Sequence, residues 1–271
     1  MSTQIAQLAI NGISIGAIYA LVALGLVLTY KATEVLNFAY GDMLMLGAFV
    51  AWGLIVVVGL PFWLAAVATA VIVGLLGYVL DAQVMRRIIG QPQFAGVMLT
   101  IGLAFMLRGL VSMTFGPQER KFETPFSGQT TRLGDVAVAD LNLAIVVVAL
   151  VVTALLYVIL TRTKVGIAMQ AASQNQLAAY LCGIRVKRLT SLVWAIAGML
   201  AAIGGLLLAP VTLVDISLWF VVLKAMAALV LGGFGSAPGA ILGGFLIGLV
   251  EQFAGVYAPD GTKDIIAYVV L

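Results

Sequence analysis

TRTKVGIAMQAASQNQLAAYLCGIRVKRL, residues 161–189, is the stretch that orients the whole chain. Arg162 and Lys164 open it, Arg185, Lys187 and Arg188 close it, and no acid lies between them. Apolar runs of membrane-spanning length flank it on both sides. Over 166–182 Ala, Gln, Leu and Met predominate, and all of them favour helix. Leu177, Leu181 and Ile184 share one face at helical spacing, while Gln170, Ser173 and Gln174 share another. Gly183 stands where a glycine ends a helix. The pattern predicts a short amphipathic helix on the cytoplasmic side of a membrane protein. Its use is either to meet a cytoplasmic partner or to cover the ends of neighbouring helices.

The composition outside this stretch agrees. The 271 residues are 63% hydrophobic and 9% charged, against about 25% charged in a soluble domain, and mean hydropathy is +1.17. This is an all-α, polytopic membrane protein, and a water-soluble enzyme is excluded. Histidine is absent and cysteine occurs once, at Cys182, so neither an intramolecular disulfide nor a Cys/His metal cluster can form. A net charge of +3 is too small and too localised for nucleic acid and suits basic cytoplasmic loops. Residues 1–30 hold no charged side chain, so the basic segment of a cleavable signal peptide is missing.

About eight spans follow in one transmembrane domain over 1–271. The first covers 5–30, where Gly12 and Gly16 form a G-x-x-x-G that lets helices approach closely in lipid. Lys31, Glu34 and Asp42 bracket a polar-aromatic interruption at 35–41, either a surface turn or a break buried in protein. The uncharged stretch 43–80 has room for two spans, with Gly59-Leu60-Pro61 as the turn. The loop at 81–93, with Arg86 and Arg87, is expected inside. The span 94–115 contains Arg108. The loop at 116–140, where Glu119, Glu123, Asp135 and Asp140 outnumber three basic residues, is expected outside. Spans at 141–161 and 189–210 flank the basic loop, 162–188. The segment 219–231, with Lys224, is short for a span. A glycine-rich break at 232–239, a span at 240–257 and a turn at Pro259-Asp260-Gly261 complete the chain. The last seven residues cover only about 10 Å as helix, which implies a truncated or re-entrant segment. Counting back from the loops puts the amino terminus outside if 31–42 is a true loop, and inside if it is buried.

Catalytic chemistry is not legible. The glycine-rich run 232–239 lacks the Gly-Lys pair of a phosphate-binding loop. Gly232, Gly233, Gly235, Gly239 and Gly243 read instead as helix packing around a break. Lys224 and Glu251, close to span ends, read as snorkelling side chains. Arg108 lies deeper, where a charge costs about 2.5–3.5 kcal/mol on insertion scales, and reads as a path residue or one half of a structural pair. A secondary transporter would show coupling acids or histidines at mid-membrane; here histidine is absent and the acids fall mostly in loops or near span ends.

Three ordered signatures carry a resemblance. NGISIGAIYALVALGL at 11–26, NFAYGD at 37–42 and Gly47-Ala48 resemble the opening of branched-chain amino acid ABC permeases of the LivH/LivM type. LGGFGSAPGA at 231–240, continuing through Gly243, Gly244 and Gly248 to Glu251, resembles that family's second signature. TRTKVG at 161–166, Gln174-Asn175 and Gly183-Ile184 resemble its cytoplasmic loop, and Ala178, Ala179 and Gly183 match the A-A-x-x-x-G of its coupling motif. Leu177 replaces the usual acid of that motif, Met169-Gln170 replace a common Arg, and the family's basic tail is missing. The resemblance implies an importer subunit in a bacterial or archaeal inner membrane. Its partners would be a second permease, alike or different, two cytoplasmic ATPases that hold ATP and magnesium, and a substrate-binding protein. Gly166, Gln170, Gln174, Ala178, Ala179 and Gly183 would couple to the ATPase, and Asn37, Phe38, Tyr40 and Arg108 would line the path. Leu, Ile or Val is the implied cargo, with urea, short amides or aromatic acids as alternatives. No cofactor is expected on this chain.

Overall fold

The computed structural model describes residues 2–88, 91–133, 136–259 and 262–270. Among them, seven helices are long and apolar enough to cross a membrane. Helix α1 spans Ser2–Thr33, α2 Tyr40–Trp52 with a π turn to Val57, α3 Phe62–Gln83 and α4 Gln93–Phe115. Then come α5 at Asp140–Arg162, α6 at Lys164–Gln174, α7 at Gln176–Leu181 and α8 at Val186–Leu208. Helices α9 (Val221–Gly232), α10 (Ala237–Tyr257) and α11 (Thr262–Val270) close the chain. The expected short span is α9 with the 3-10 turn before it, Ile216–Gly232.

Helix α1 is the centre of the bundle, buried through Ala17 to Leu28, whereas α5 exposes Val147, Leu150, Val151, Leu155 and Val158 at its edge. What places α1 centrally is bare backbone. A Cβ on Gly16 would lie 2.8 Å from the Cα of Phe245, one on Gly244 2.5 Å from the amide of Ala20, and one on Gly248 would overlap Gly16 itself. Helix α10 therefore lies directly against α1. Gly232 and Gly239 approach each other as closely across the break, and Gly243 meets Ala228. Gly233 and Gly235 do something else: a Cβ at either would meet nothing within 4 Å. They form the turn, Gly233 at φ +87°, where its N–H closes α9 on Val230 O, and no neighbouring helix packs against either Cβ position.

Two ends are defined by contacts. Arg86 Nη2 donates to Lys187 O at 2.7 Å and Gln176 Nε2 to Ala32 O at 3.1 Å, which gathers both basic loops and the end of α1. At the opposite end, Gln7 Nε2 donates to Ala137 O at 3.2 Å and Arg120 bridges Val214. The amino-terminal end of α1 thus lies with the 116–140 loop, away from the basic loops. The 31–42 interruption is a turn and a buried break together: the chain reverses there, yet Val35 packs on Gly96 and Thr100 Oγ1 donates to Leu36 O at 3.3 Å.

Two expectations change in detail. The 116–140 loop holds a small antiparallel hairpin, Thr130–Leu133 with Val136–Ala139; Asp135 lies outside the described residues, as do Asp260 and Gly261 of the 259–261 turn. The terminal segment is α11, whose nine residues cover about 13 Å and pack on α9 and α10.

Candidate functional site

The basic segment is two helices, where its composition predicts one. Asn175 adopts an extended conformation (φ −158°, ψ 104°) and its Oδ1 accepts from the amide of Ala178 at 2.9 Å. An Asn side chain that caps a new helix competes with continuation of the old one, so α6 stops and α7 starts. Helix α6 is folded back on α5. A Cβ on Gly166 would overlap the carbonyl oxygens of Ile159 and Leu160, Thr163 Oγ1 caps the Gly166 amide at 3.1 Å, and Gln170 Nε2 donates to Leu160 O at 3.0 Å. Helix α7 ends on Gly183 at φ +86°, with Gly183 N–H on Tyr180 O and Ile184 N–H on Ala179 O, the paired bonds of a Schellman stop. Ala179 is buried and Gln174 and Ala178 are exposed. Leu177, Tyr180 and Leu181 stand 66–76% exposed, so the apolar face of α7 looks away from the bundle.

Beside α7 lies a cleft of about 470 Å³ between the end of α1, Met85, Arg86 and Ile88 after α3, Gln91 and Pro92 before α4, and the start of α8. Its wall is built on Asp81, which is buried in the last turns of α3 although sequence placed it at the start of a loop. Its carboxylate accepts from Ser191 Oγ at 2.5 Å and Thr190 Oγ1 at 3.3 Å, and Arg86 Nη2 donates to the same Ser191 at 2.6 Å. The exit of the basic segment is thereby tied to α3.

Two further ion pairs sit inside the bundle. Arg108 of α4 grips Asp42 of α2 with both arms, Nε to Oδ1 at 3.0 Å and Nη2 to Oδ2 at 3.2 Å. Its guanidinium stacks 3.9 Å from the centroid of the Trp219 ring. Lys224 Nζ meets Glu251 Oε1 at 2.8 Å, and Tyr19 OH donates to Oε2 at 2.6 Å. This corrects the snorkelling expectation: the Glu251 side chain is 4% exposed and that of Lys224 12%. Helix α9 is short, and the bond to Glu251, six residues inside the end of α10, holds Lys224 within the bundle although it lies near the start of its helix. Sequence gave no signal for either pairing, since the partners stand 66 and 27 positions apart.

Of the expected path residues, Asn37, Phe38 and Tyr40 form one neighbourhood, and Asp42 connects it to Arg108. The Phe38 amide donates to Thr100 Oγ1 at 3.3 Å. Asn37 is 3% exposed, and among the described residues neither of its amide atoms nor the Tyr40 hydroxyl has a hydrogen-bond partner. Such groups are costly to bury unpaired.

A bundle of this kind, with ion pairs in its interior and a polar, basic segment displayed at one end, is that of a multi-pass membrane protein. The chain matches the family described as branched-chain amino acid transport system / permease component over residues 8–271. It belongs to that family. It is 30% identical to the high-affinity branched-chain amino acid transport system permease protein BraD of Pseudomonas aeruginosa, across 97% of this chain and 90% of that one. Identity to LivH of Escherichia coli K12, of the same description, is 27% over 96% and 89% of the two chains. The probable LivH permease of Methanocaldococcus jannaschii is 30% identical over 88% and 77%. In architecture the chain is similar to PsaBC from Streptococcus pneumoniae in complex with Fab, with a TM-score of 0.51 over 97% of this chain and 87% of that one. At 14% identity that likeness concerns the fold alone.

Proposed function

We propose that this chain is the membrane-spanning subunit of an ATP-driven importer of branched-chain amino acids, working in the inner membrane of a bacterium or archaeon. The observation that carries the reading is whole-length membership in a permease family whose relatives are named for branched-chain transport. The partners are a second permease, two cytoplasmic ATPases that hold ATP and magnesium, and a substrate-binding protein that hands over the cargo. The chain itself contributes no catalytic group.

Support for the ATPase contact comes from α7. An exposed Leu177, Tyr180 and Leu181 on a basic, water-facing end form the kind of apolar patch that a partner covers. The rigid stop at Gly183 and the fold-back at Gly166 hold it in place. The decisive experiment replaces Cys182 by Ser, puts a single cysteine at the exposed Gln174 and treats native membranes with a thiol cross-linker. Capture of an ABC-type ATPase, with a yield that changes on adding ATP, is expected. No adduct, together with uptake that persists without ATP, would overturn the importer reading.

A further inference from the structure

Along their middles, α3 and α5 turn Val67, Val71, Leu75, Val147, Leu150 and Leu155 outward, as lipid requires. Helix α4 departs from this. Gly102, Phe105, Gly109 and Ser112 recur at helical spacing along one side of it. Gly102, Phe105 and Ser112 are exposed and Gly109 is half-buried. A Cβ at Gly102 or Gly109 would meet nothing within 4 Å. A glycine inside a helix is destabilising relative to alanine, and between α1 and α10 close backbone contact offsets that loss. On α4 no described residue uses the room.

Arg108 borders the same strip. Its guanidinium lies 5.4 Å from the centroid of the Phe105 ring, and 23% of its side chain is exposed. It stands seven residues inside the end of α4, about 10 Å along the axis. Snorkelling is closed to it, because Asp42 holds Nε and Nη2 and the Trp219 ring stacks on the guanidinium. A charge fixed at such depth and still open faces water or protein, never hydrocarbon. A dry contact with another helix would seal the open edge of the guanidinium, which is costly without a new partner. Water leaves it hydrated.

We infer that this strip of α4 is a wall of the water-filled translocation path, kept wet by Arg108 and Ser112 and given its width by Gly102 and Gly109. This rests on the importer reading above and gives the path a location. Phe105, with the exposed Met98 and Met113 on the same side, offers a soft apolar surface to the side chain of the cargo, whose charged ends stay hydrated. Leucine, isoleucine and valine pass such a wall alike. It limits bulk and makes no choice among them.

The test uses the assembled transporter in membrane vesicles. The Cys182→Ser parent must first take up L-leucine with ATP; failure there sinks the importer reading, and this inference with it. Single cysteines are then placed in that parent at Gly102, at Gly109 and, as lipid-facing controls, at Leu75 and Val151. A small charged methanethiosulfonate is applied at rest, with ATP, and after trapping with ATP and vanadate. The thiolate is the reacting form and apolar surroundings suppress it. Gly102→Cys and Gly109→Cys should therefore label about tenfold faster than the controls, or more, in at least one state. Gly109→Phe should lower leucine uptake several-fold with the amount of protein in the membrane unchanged, and Val151→Phe should not. If the parent transports yet both glycine positions label as slowly as the controls in all three states, the strip faces lipid or a dry helix and no path runs along it. Uptake untouched by Gly109→Phe would overturn the inference as well.

Discussion

Replacing Arg108 by Met should be far more damaging than replacing its partner, Asp42, by Asn. Asp42 is fully buried and both its oxygens are held by one guanidinium. Without Arg108 a carboxylate is stranded in the bundle, a loss of about 3–5 kcal/mol. Without the Asp42 charge, Arg108 retains a side chain 23% exposed, the Trp219 face at 3.9 Å and an amide oxygen to bond. That costs about 1.5–3 kcal/mol, the range for a hydrogen bond to a charged group. The double variant Asp42→Leu/Arg108→Met leaves neither charge, and apolar replacement of a buried pair is often close to neutral. Thermal unfolding in mild detergent, read by size-exclusion fluorescence, ranks the four proteins. At about 2–4 °C per kcal/mol for a chain of this size, Arg108→Met should fall by roughly 6–20 °C and the double variant should recover most of it. An Arg108→Met protein no worse than Asp42→Asn, or a double variant as poor as Arg108→Met, would refute the view that a stranded Asp42 dominates.

Three other outcomes are expected. Gly248→Val should prevent accumulation of folded protein, because even a Cβ there overlaps Gly16, whereas Gly102→Ala, with open space around it, should be neutral or raise stability by about 0.5–1 kcal/mol; equal effects in a membrane-expression assay would count against the α1–α10 contact. Asn37→Leu should hold or raise stability by relieving an unpaired amide, by about 1–3 kcal/mol, while reducing uptake; unchanged transport would remove Asn37 from the path. Cys182, exposed on the basic end, should react with an impermeant maleimide in inside-out vesicles and not in right-side-out ones, and the reverse pattern would invert the orientation.

What sequence made legible was whatever is encoded locally. Long apolar runs located the spans, Gly59 at φ +76° and Gly183 at φ +86° were found as stops, and the 232–239 break was placed between α9 and α10. The basic segment was located correctly, but its split was missed although Asn175 carried a capping signal. The hairpin at 130–139 was missed too, despite its alternating Val-Ala-Val-Ala. What no local pattern could reveal was pairing across the bundle. Arg108 finds Asp42, Lys224 finds Glu251 and Asp81 finds Ser191 only because helices distant in sequence pack side by side. Position along a span misjudged Lys224 and Glu251, because nearness to a helix end does not reveal the ion pair that holds both within the bundle.

The glycine contact between α1 and α10 also sets a timetable. The first helix made by the ribosome docks against one made about 230 residues later, an interval of roughly 10–50 s at ordinary synthesis rates. Throughout that time α1 waits in the bilayer with Gly12 and Gly16 uncovered, a surface that any small-residue helix could borrow. A cell that slows elongation before residue 244 lengthens the exposure, so codon usage and insertase occupancy over the second half of the message become determinants of how much permease assembles.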